Sequence, residues 1–295
     1  MFEKILLPLD ISELAEGAVP YAVELALRLG SELILFHACG PEHQQFRYQH
    51  ETYLARVGED LRQRLTEAQP GQPRVNTAIE TEPGGAAEAI SGFATKSGVG
   101  LIIMTTGGES GRKTGGIGKV ADGVSRTVSA PVMLIRTGSP RHAQGEWLIN
   151  RIVVPLDGSE SSKLALPVAE ELAVRCGVAV VLFQMARIAY PVGGERAPFV
   201  DYERLTRDEL TAVQNRITEL ERQLSGKGLN VTSRVTSGFD AAQEITTVGK
   251  QTGADLVVMS THGRSGFRRR LFGSVAERVM RDGDRPLLLV TAKVG

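Results

Sequence analysis

Ser260-x2-Gly263-x9-Gly273-Ser274 is the arrangement in this chain best suited to chemistry. An apolar run ending at Met259 leads into a loop of glycine, serine and arginine, and Gly273-Ser274 then opens an amphipathic stretch with helical spacing. That order makes an anion cradle. Glycines let backbone N–H groups approach an oxyanion, the helix start adds partial positive charge, and the Ser274 hydroxyl donates one more bond. Gly266 lies inside the loop, and Arg264, Arg268, Arg269 and Arg270 concentrate positive charge there. The Arg268–Arg270 run either reaches a phosphate or is a solvated loop. His262 abuts the cradle, where its ring either orients a phosphate or bonds to the backbone. Ligands of a parallel sheet collect beyond the carboxyl ends of its strands. The turn Pro155-Leu156-Asp157-Gly158-Ser159 therefore shares that rim, with Asp157 placed to accept from a base or a sugar hydroxyl.

The elements that must hold such a site are written twice. Lys4-Ile5-Leu6-Leu7-Pro8-Leu9-Asp10 returns as Arg151-Ile152-Val153-Val154-Pro155-Leu156-Asp157 at a shift of 147, and Leu101–Thr106 returns as Leu256–Thr261 at a shift of 155. The second copy therefore holds eight more residues between these blocks. In both copies short apolar runs alternate with longer amphipathic ones, the pattern of an α/β fold with a parallel sheet covered by helices on both faces. Strands are expected near Lys4–Leu9, Leu33–Ala38, Val75–Ile79, Leu101–Thr106 and Val132–Arg136, then near Ile152–Leu156, Val178–Phe183, Val231–Thr236, Leu256–Ser260 and Leu287–Val290. Helices are expected from Ser12 (its N-cap) to Leu29, over Gln44–Ala68 and Ala86–Ser97, and from about Gly118, with a long one around Tyr202–Leu224 in the second copy. Gly30 and Gly177 end the first helix of each copy, and Pro20 and Pro167 should bend it. Residues 1–137 and 151–295 form the two domains, and polar, turn-rich 138–150 reads as a linker pinned by Trp147 to a domain face.

Totals narrow the function classes. The 295 residues, 42% of them apolar, are ample for two cores of roughly 140 residues each. Lys plus Arg equals Asp plus Glu at 34 each, so no global field gathers nucleic acid or an anionic membrane. The two cysteines, Cys39 and Cys176, occupy non-equivalent places, which suits buried thiols in a reducing compartment. With no leader-like start and no apolar run long enough for a membrane span, the expectation is a cytoplasmic protein.

On the glycine loop and the duplication, the chain resembles the universal stress protein family in a tandem form, over nearly all of both halves. The resemblance implies two tandem doubly wound five-stranded parallel-sheet domains, adenine nucleotide alpha-hydrolase-like, with strand order 3-2-1-4-5. Members that bind ATP carry Gly-x2-Gly-x9-Gly-Ser/Thr after the fourth strand, and the second half departs only at Ser260, whose side chain either crowds a nucleotide or hydrogen-bonds to it. The resemblance implies ATP, with Mg2+ as its companion ion, held by Gly263, Gly273 and Ser274 at the triphosphate, Asp157 at the adenine or ribose and Met185 at the adenine edge. In the first half it points to Asp10, Ala38, Gly108, Gly118 and Lys119. There the pattern reads Thr105-x2-Gly108-x9-Gly118-Lys119, and the Lys119 ammonium either pairs with a phosphate or fills the pocket and salt-bridges to Asp10. The second site is expected to be the tighter. Single-domain relatives pair through the last strand, so Val132–Arg136 and Leu287–Val290 are expected side by side as a pseudo-dimer within one chain, with a homodimer of chains as a further possibility.

Other patterns carry less. Gly116-Ile117-Gly118-Lys119 matches a dinucleotide fingerprint by letter but begins ten residues after its strand, and Lys113 and Val120 break a Walker reading. His43 and His50, seven apart, read as a solvated pair. No Ser/His/Asp set, paired carboxylates or activated cysteine is present, so an enzyme is not expected. The leading expectation is a nucleotide-binding regulatory protein, and the resemblance implies that it acts under stress. The alternative is a scaffold of the same family that binds no nucleotide, and a nucleotide-hydrolysing relative is a weaker third.

Overall fold

The computed structural model describes residues 1–40, 45–69, 74–81, 85–107, 117–136, 146–188, 200–261 and 272–291. In chain order the first half runs β1 (Lys4–Pro8), a 3-10 turn (Ala15–Ala18), α1 (Val19–Leu29), β2 (Glu32–Cys39), α2 (Arg47–Ala68), β3 (Val75–Thr81), α3 (Ala86–Lys96), β4 (Leu101–Thr105), α4 (Lys119–Thr127) and β5 (Val132–Ile135). The second half runs β6 (Arg151–Leu156), α5 (Glu160–Lys163), α6 (Ala165–Cys176), β7 (Ala179–Arg187), α7 (Tyr202–Ser225), β8 (Val231–Gly238), α8 (Ala241–Thr252), β9 (Leu256–Ser260), α9 (Ser274–Asp282) and β10 (Leu287–Val290).

Among the described residues, all ten strands join one sheet in the order β3-β2-β1-β4-β5-β10-β9-β6-β7-β8. Each half has the expected 3-2-1-4-5 order, and the halves meet where β10 runs antiparallel to β5, Leu288 opposite Met133. This is the intrachain pairing that the resemblance implied, and it leaves neither last strand as an open edge. Side chains alternate across the sheet and build two apolar layers. Ile5, Leu7, Ile103, Met133, Ile152, Val154 and Leu288 pack with α1, α2, α6 and α7 on one face. Leu6, Ile102, Leu134, Val153, Val257 and Leu289 pack with α3, α4, α8 and α9 on the other. Each layer crosses both halves, so the expectation of two separate cores is corrected: the halves share theirs.

The prolines act differently from expectation. The helix expected from Ser12 to Leu29 is divided into the 3-10 turn and α1, and its counterpart into α5 and α6, with Pro20 and Pro167 just inside the later segments. Proline fits a first turn, where its missing N–H has no intrahelical acceptor, so each breaks the helix and starts the next piece without bending a continuous one. Gly30 and Gly177 end these helices with φ of 58° and 63°, as glycine at a helix end should.

The two halves are clasped by pseudo-symmetric carboxylates. Glu24 and Arg28 of α1 form a buried pair at 2.6 Å. Glu24 also accepts from the amides of Leu148 (2.5 Å) and Ile149 (3.1 Å), while Arg28 donates to the Ile149 carbonyl (2.6 Å) and to that of Cys176. A shift of 147 maps Glu24, Arg28 and Leu148 onto Glu171, Arg175 and Met1. There Glu171 accepts from the Met1 amino group (3.0 Å) and Arg175 (3.1 Å). Burial alone would raise the Glu171 pKa, but the Met1 ammonium, Arg175 and the Phe2 amide outweigh it and lower it. Trp147 lies under the Arg28 guanidinium, 4.9 Å from its ring centre, so it does dock the entry to β6, though half exposed. Burial pushes the Cys176 thiol up to about 11, in keeping with an inert residue, and Cys39 is also buried.

Candidate functional site

The strand order reverses between β6 and β9, which run parallel: from β6 the sheet grows through β7 to β8 on one side, and from β9 to β10 on the other. The crevice beyond the carboxyl ends of these two strands is where a doubly wound sheet takes ligands. It holds a cavity of about 210 Å³ lined by the β6 turn (Pro155, Leu156, Asp157), Ser162, the end of β7 (Phe183, Met185, Arg187), α8 (Ala241, Ile245), the end of β9 (Met259, Ser260, Thr261) and the start of α9 (Gly273 to Ala276).

Each wall has a local cause. Asp157 folds its own turn, Oδ1 accepting from the Ser159 amide (2.9 Å) and hydroxyl (2.6 Å), with Gly158 between them at φ 82°. The first half makes the same turn with Asp10 and Ser12 (3.1 and 2.5 Å), but with Ile11 at φ 70°, a conformation that costs a β-branched residue roughly 1–2 kcal/mol. On the other side, β7 runs past its last β6 partner, since Leu156 pairs with Gln184. The backbone of Met185, Ala186 and Arg187 therefore shows the crevice an edge without a β6 neighbour, able to give and accept hydrogen bonds. Opposite, the first intrahelical bond of α9 runs from Glu277 to the Gly273 carbonyl (2.9 Å), and Gly273 brings no capping side chain. The amides of Ser274, Val275 and Ala276 thus have no intrahelical acceptor and face the cavity with the positive end of the helix dipole.

The structure brings together Asp157, Met185, Ser260, Gly273 and Ser274 of the sequence-derived set. It also changes the part of Gly273, whose amide donates to the Thr261 carbonyl at 2.8 Å, so this glycine fixes the loop exit and the three amides after it are the ones available. Gly118 does likewise toward Thr106 (2.7 Å), and a Cβ there would stand 3.1 Å from that carbonyl oxygen, a tight contact. Ser260 is buried at the strand end. His262, Gly263, Arg264, Gly266, Arg268–Arg270, Gly108, Lys113 and His43 lie outside the described residues. Of the expected pair only His50 is described: its ring sits edge-on to buried His37, centroids 4.4 Å apart, and His37 Nδ1 bonds the Leu9 carbonyl at 2.8 Å. Among the described residues no group of three or more His, Cys, Asp or Glu could hold a metal ion, and no helix is long and apolar enough to cross a membrane.

Arg187 escaped the sequence reading, although the shift of 147 sets it against Gly40. Of the sixteen lining residues, eleven recur at the corresponding places of the first half: Pro8, Leu9, Asp10, Phe36, Ala86, Ile90, Met104, Thr106, Gly118, Val120 and Ala121. The rest differ, with Ala15 for Ser162, Ala38 for Met185, Gly40 for Arg187, Thr105 for Ser260 and Lys119 for Ser274. The cation thus changes ends. In the second half Arg187 stands at the strand end, and in the first an exposed Lys119 opens α4.

Comparison with known proteins agrees with this duplicated geometry. The sequence profile of the universal stress protein family matches residues 1–136 and again 149–291. The chain belongs to the universal stress protein family. Universal stress protein MJ0531 of Methanocaldococcus jannaschii is 29% identical over 150 residues, half of this chain and 84% of that protein. A universal stress protein from Archaeoglobus fulgidus superposes with a TM-score of 0.71 at 18% identity, covering 98% of each chain. A functionally unknown protein of Pseudomonas aeruginosa, PA1789, superposes at 0.72 and 17%, covering 98% of this chain and 92% of its own. At such identities these structures speak for the tandem universal stress protein fold.

Proposed function

We propose that this chain is a nucleotide-binding regulatory protein, with ATP held in the second-half cavity and Mg2+ accompanying its phosphates. The observation that carries the reading is the start of α9: three consecutive amides without intrahelical acceptors or a capping side chain open into a cavity. The cavity is smaller than the ~300–1,000 Å³ usual for a pocket that encloses a drug-sized ligand. It suits the base and sugar, set against Phe183, Met185 and Ile245 and the open edge of β7, with the phosphates at the mouth where α9 begins. Asp157, its Oδ1 engaged by Ser159, orients the turn beside the sugar. In this reading the chain binds and signals, and chemistry on the nucleotide is not its task. The first half keeps most of the lining but offers Lys119 where the second offers Ser274, which supports two unequal sites.

The test is thermal unfolding with ATP, ADP, AMP and cyclic nucleotides. A ligand selective for the native state at about 100 times its Kd adds ~2.7 kcal/mol, so ATP is expected to raise the midpoint by roughly 5 °C or more. An unmoved midpoint with every nucleotide would favour the scaffold reading.

A further inference from the structure

The helix that opens the second cradle is held at both ends by the first half. Ahead of α9, Phe272 is nine-tenths buried and lies under Arg126 of α4, whose guanidinium carbon is 4.5 Å from the ring centre. Arg126 is itself fixed by both carboxylate oxygens of Asp122, at 2.8 and 2.9 Å. Behind α9, Arg136 follows β5 and donates to the carbonyls of Val279 and Met280, both at 2.7 Å, and of Arg281 at 3.4 Å. The Val279 carbonyl also accepts from the Gly283 amide (2.9 Å), while those of Met280 and Arg281 are last-turn acceptors without an intrahelical donor. A Cβ at Gly283 would come 2.6 Å from the Val279 carbonyl oxygen and 3.3 Å from Arg136 Nη2, so the glycine answers first to the helix backbone and then to the guanidinium.

The support is one-sided. At a shift of 155 the counterparts of Arg136, Arg126 and Phe272 are Thr291, Arg281 and Ile117. Thr291 is too short to reach a helix end as Arg136 does, and its hydroxyl has no partner among the described residues. Arg281 turns to Asp282 at 2.8 Å, and Ile117 offers no aromatic face. The nine residues of α9 are fewer than an isolated helix needs to hold its shape, so its direction comes from tertiary contacts. Amides grip an anion well only when held within about 0.5 Å of the productive geometry.

We propose that Arg126 and Arg136 are positioning residues of the second cradle, fixing α9 through Phe272 and the last-turn carbonyls, so that the nucleotide site of one half is completed by the other. This rests on the nucleotide reading above. It also gives a physical ground for the second site being the tighter.

The experiment is calorimetric titration of ATP into the full chain and its variants, with near-ultraviolet circular dichroism confirming the native fold at the titration temperature. Arg126→Ala and Arg136→Ala are each expected to weaken ATP binding by roughly 10–100-fold, the range for residues that orient binding groups from behind. Arg126→Lys should retain most affinity, because an ammonium can also sit over a ring. Arg136→Lys should not, because it loses the planar fork that spans neighbouring carbonyls. Phe272→Leu should match Arg126→Ala, with no further loss in the double variant. If wild type binds ATP and the natively folded variants bind it equally well, the positioning role is overturned while the nucleotide reading stands. If wild type binds no nucleotide, the reading itself falls.

Discussion

Replacing Glu24 with alanine is expected to destabilise the chain by about 3–5 kcal/mol, the cost of removing one member of a buried ion pair. The Glu24 and Arg28 side chains are only 5% and 9% exposed. Without the carboxylate, the guanidinium and the amides of Leu148 and Ile149 lose their acceptor at the entry to β6. The counterpart Glu171 is 20% exposed and bonds the Met1 amino group, so Glu171→Ala should cost no more than about 1 kcal/mol. Urea unfolding followed by circular dichroism measures both. A loss under 1 kcal/mol for Glu24→Ala would show that the clasp does not hold the halves together.

Ala241→Trp is expected to weaken ATP binding more than about 100-fold, over 2.7 kcal/mol, because an indole at the first position of α8 projects into space that the base must occupy. Ala241 faces the cavity and lies outside the packed core, so the substitution should change stability by less than about 1 kcal/mol. The same change at Ala86 probes the first half. Calorimetric titration reads the two separately, and unchanged ATP affinity in Ala241→Trp would place any nucleotide elsewhere.

Much of this architecture was legible because the chain states it twice. Continuous apolar runs marked parallel strands buried on both faces, the repeat carried them into both halves, and the strand order and the β5–β10 junction came with the resemblance to the family. Long-range polar contacts were not legible. Glu24 with Arg28, and Glu171 with Arg175, look like ordinary helix-surface pairs four residues apart, and nothing in that spacing says that they reach across to Leu148 and Met1. Pro20 and Pro167 were visible as interruptions, but whether proline bends a helix or starts a new one depends on where the first turn falls. At the candidate site, the glycine pattern led to the crevice beyond β6 and β9, but not to the amides that are left without an intrahelical acceptor there. Gly273 spends its N–H on Thr261, and the donors left over belong to residues whose side chains gave no such signal, Val275 and Ala276. Arg187 was missed because it stands at the end of a strand that proved four residues longer than its apolar run.

The most direct test of the nucleotide reading is the amide nitrogen–proton spectrum of the full chain, titrated with ATP. The account predicts that Ser274, Val275 and Ala276, whose amides face the cavity, show the largest shifts, joined by Met185 and Arg187 on the open edge of β7, and that α7 stays still. Saturating ATP that leaves those three amides unmoved would contradict it.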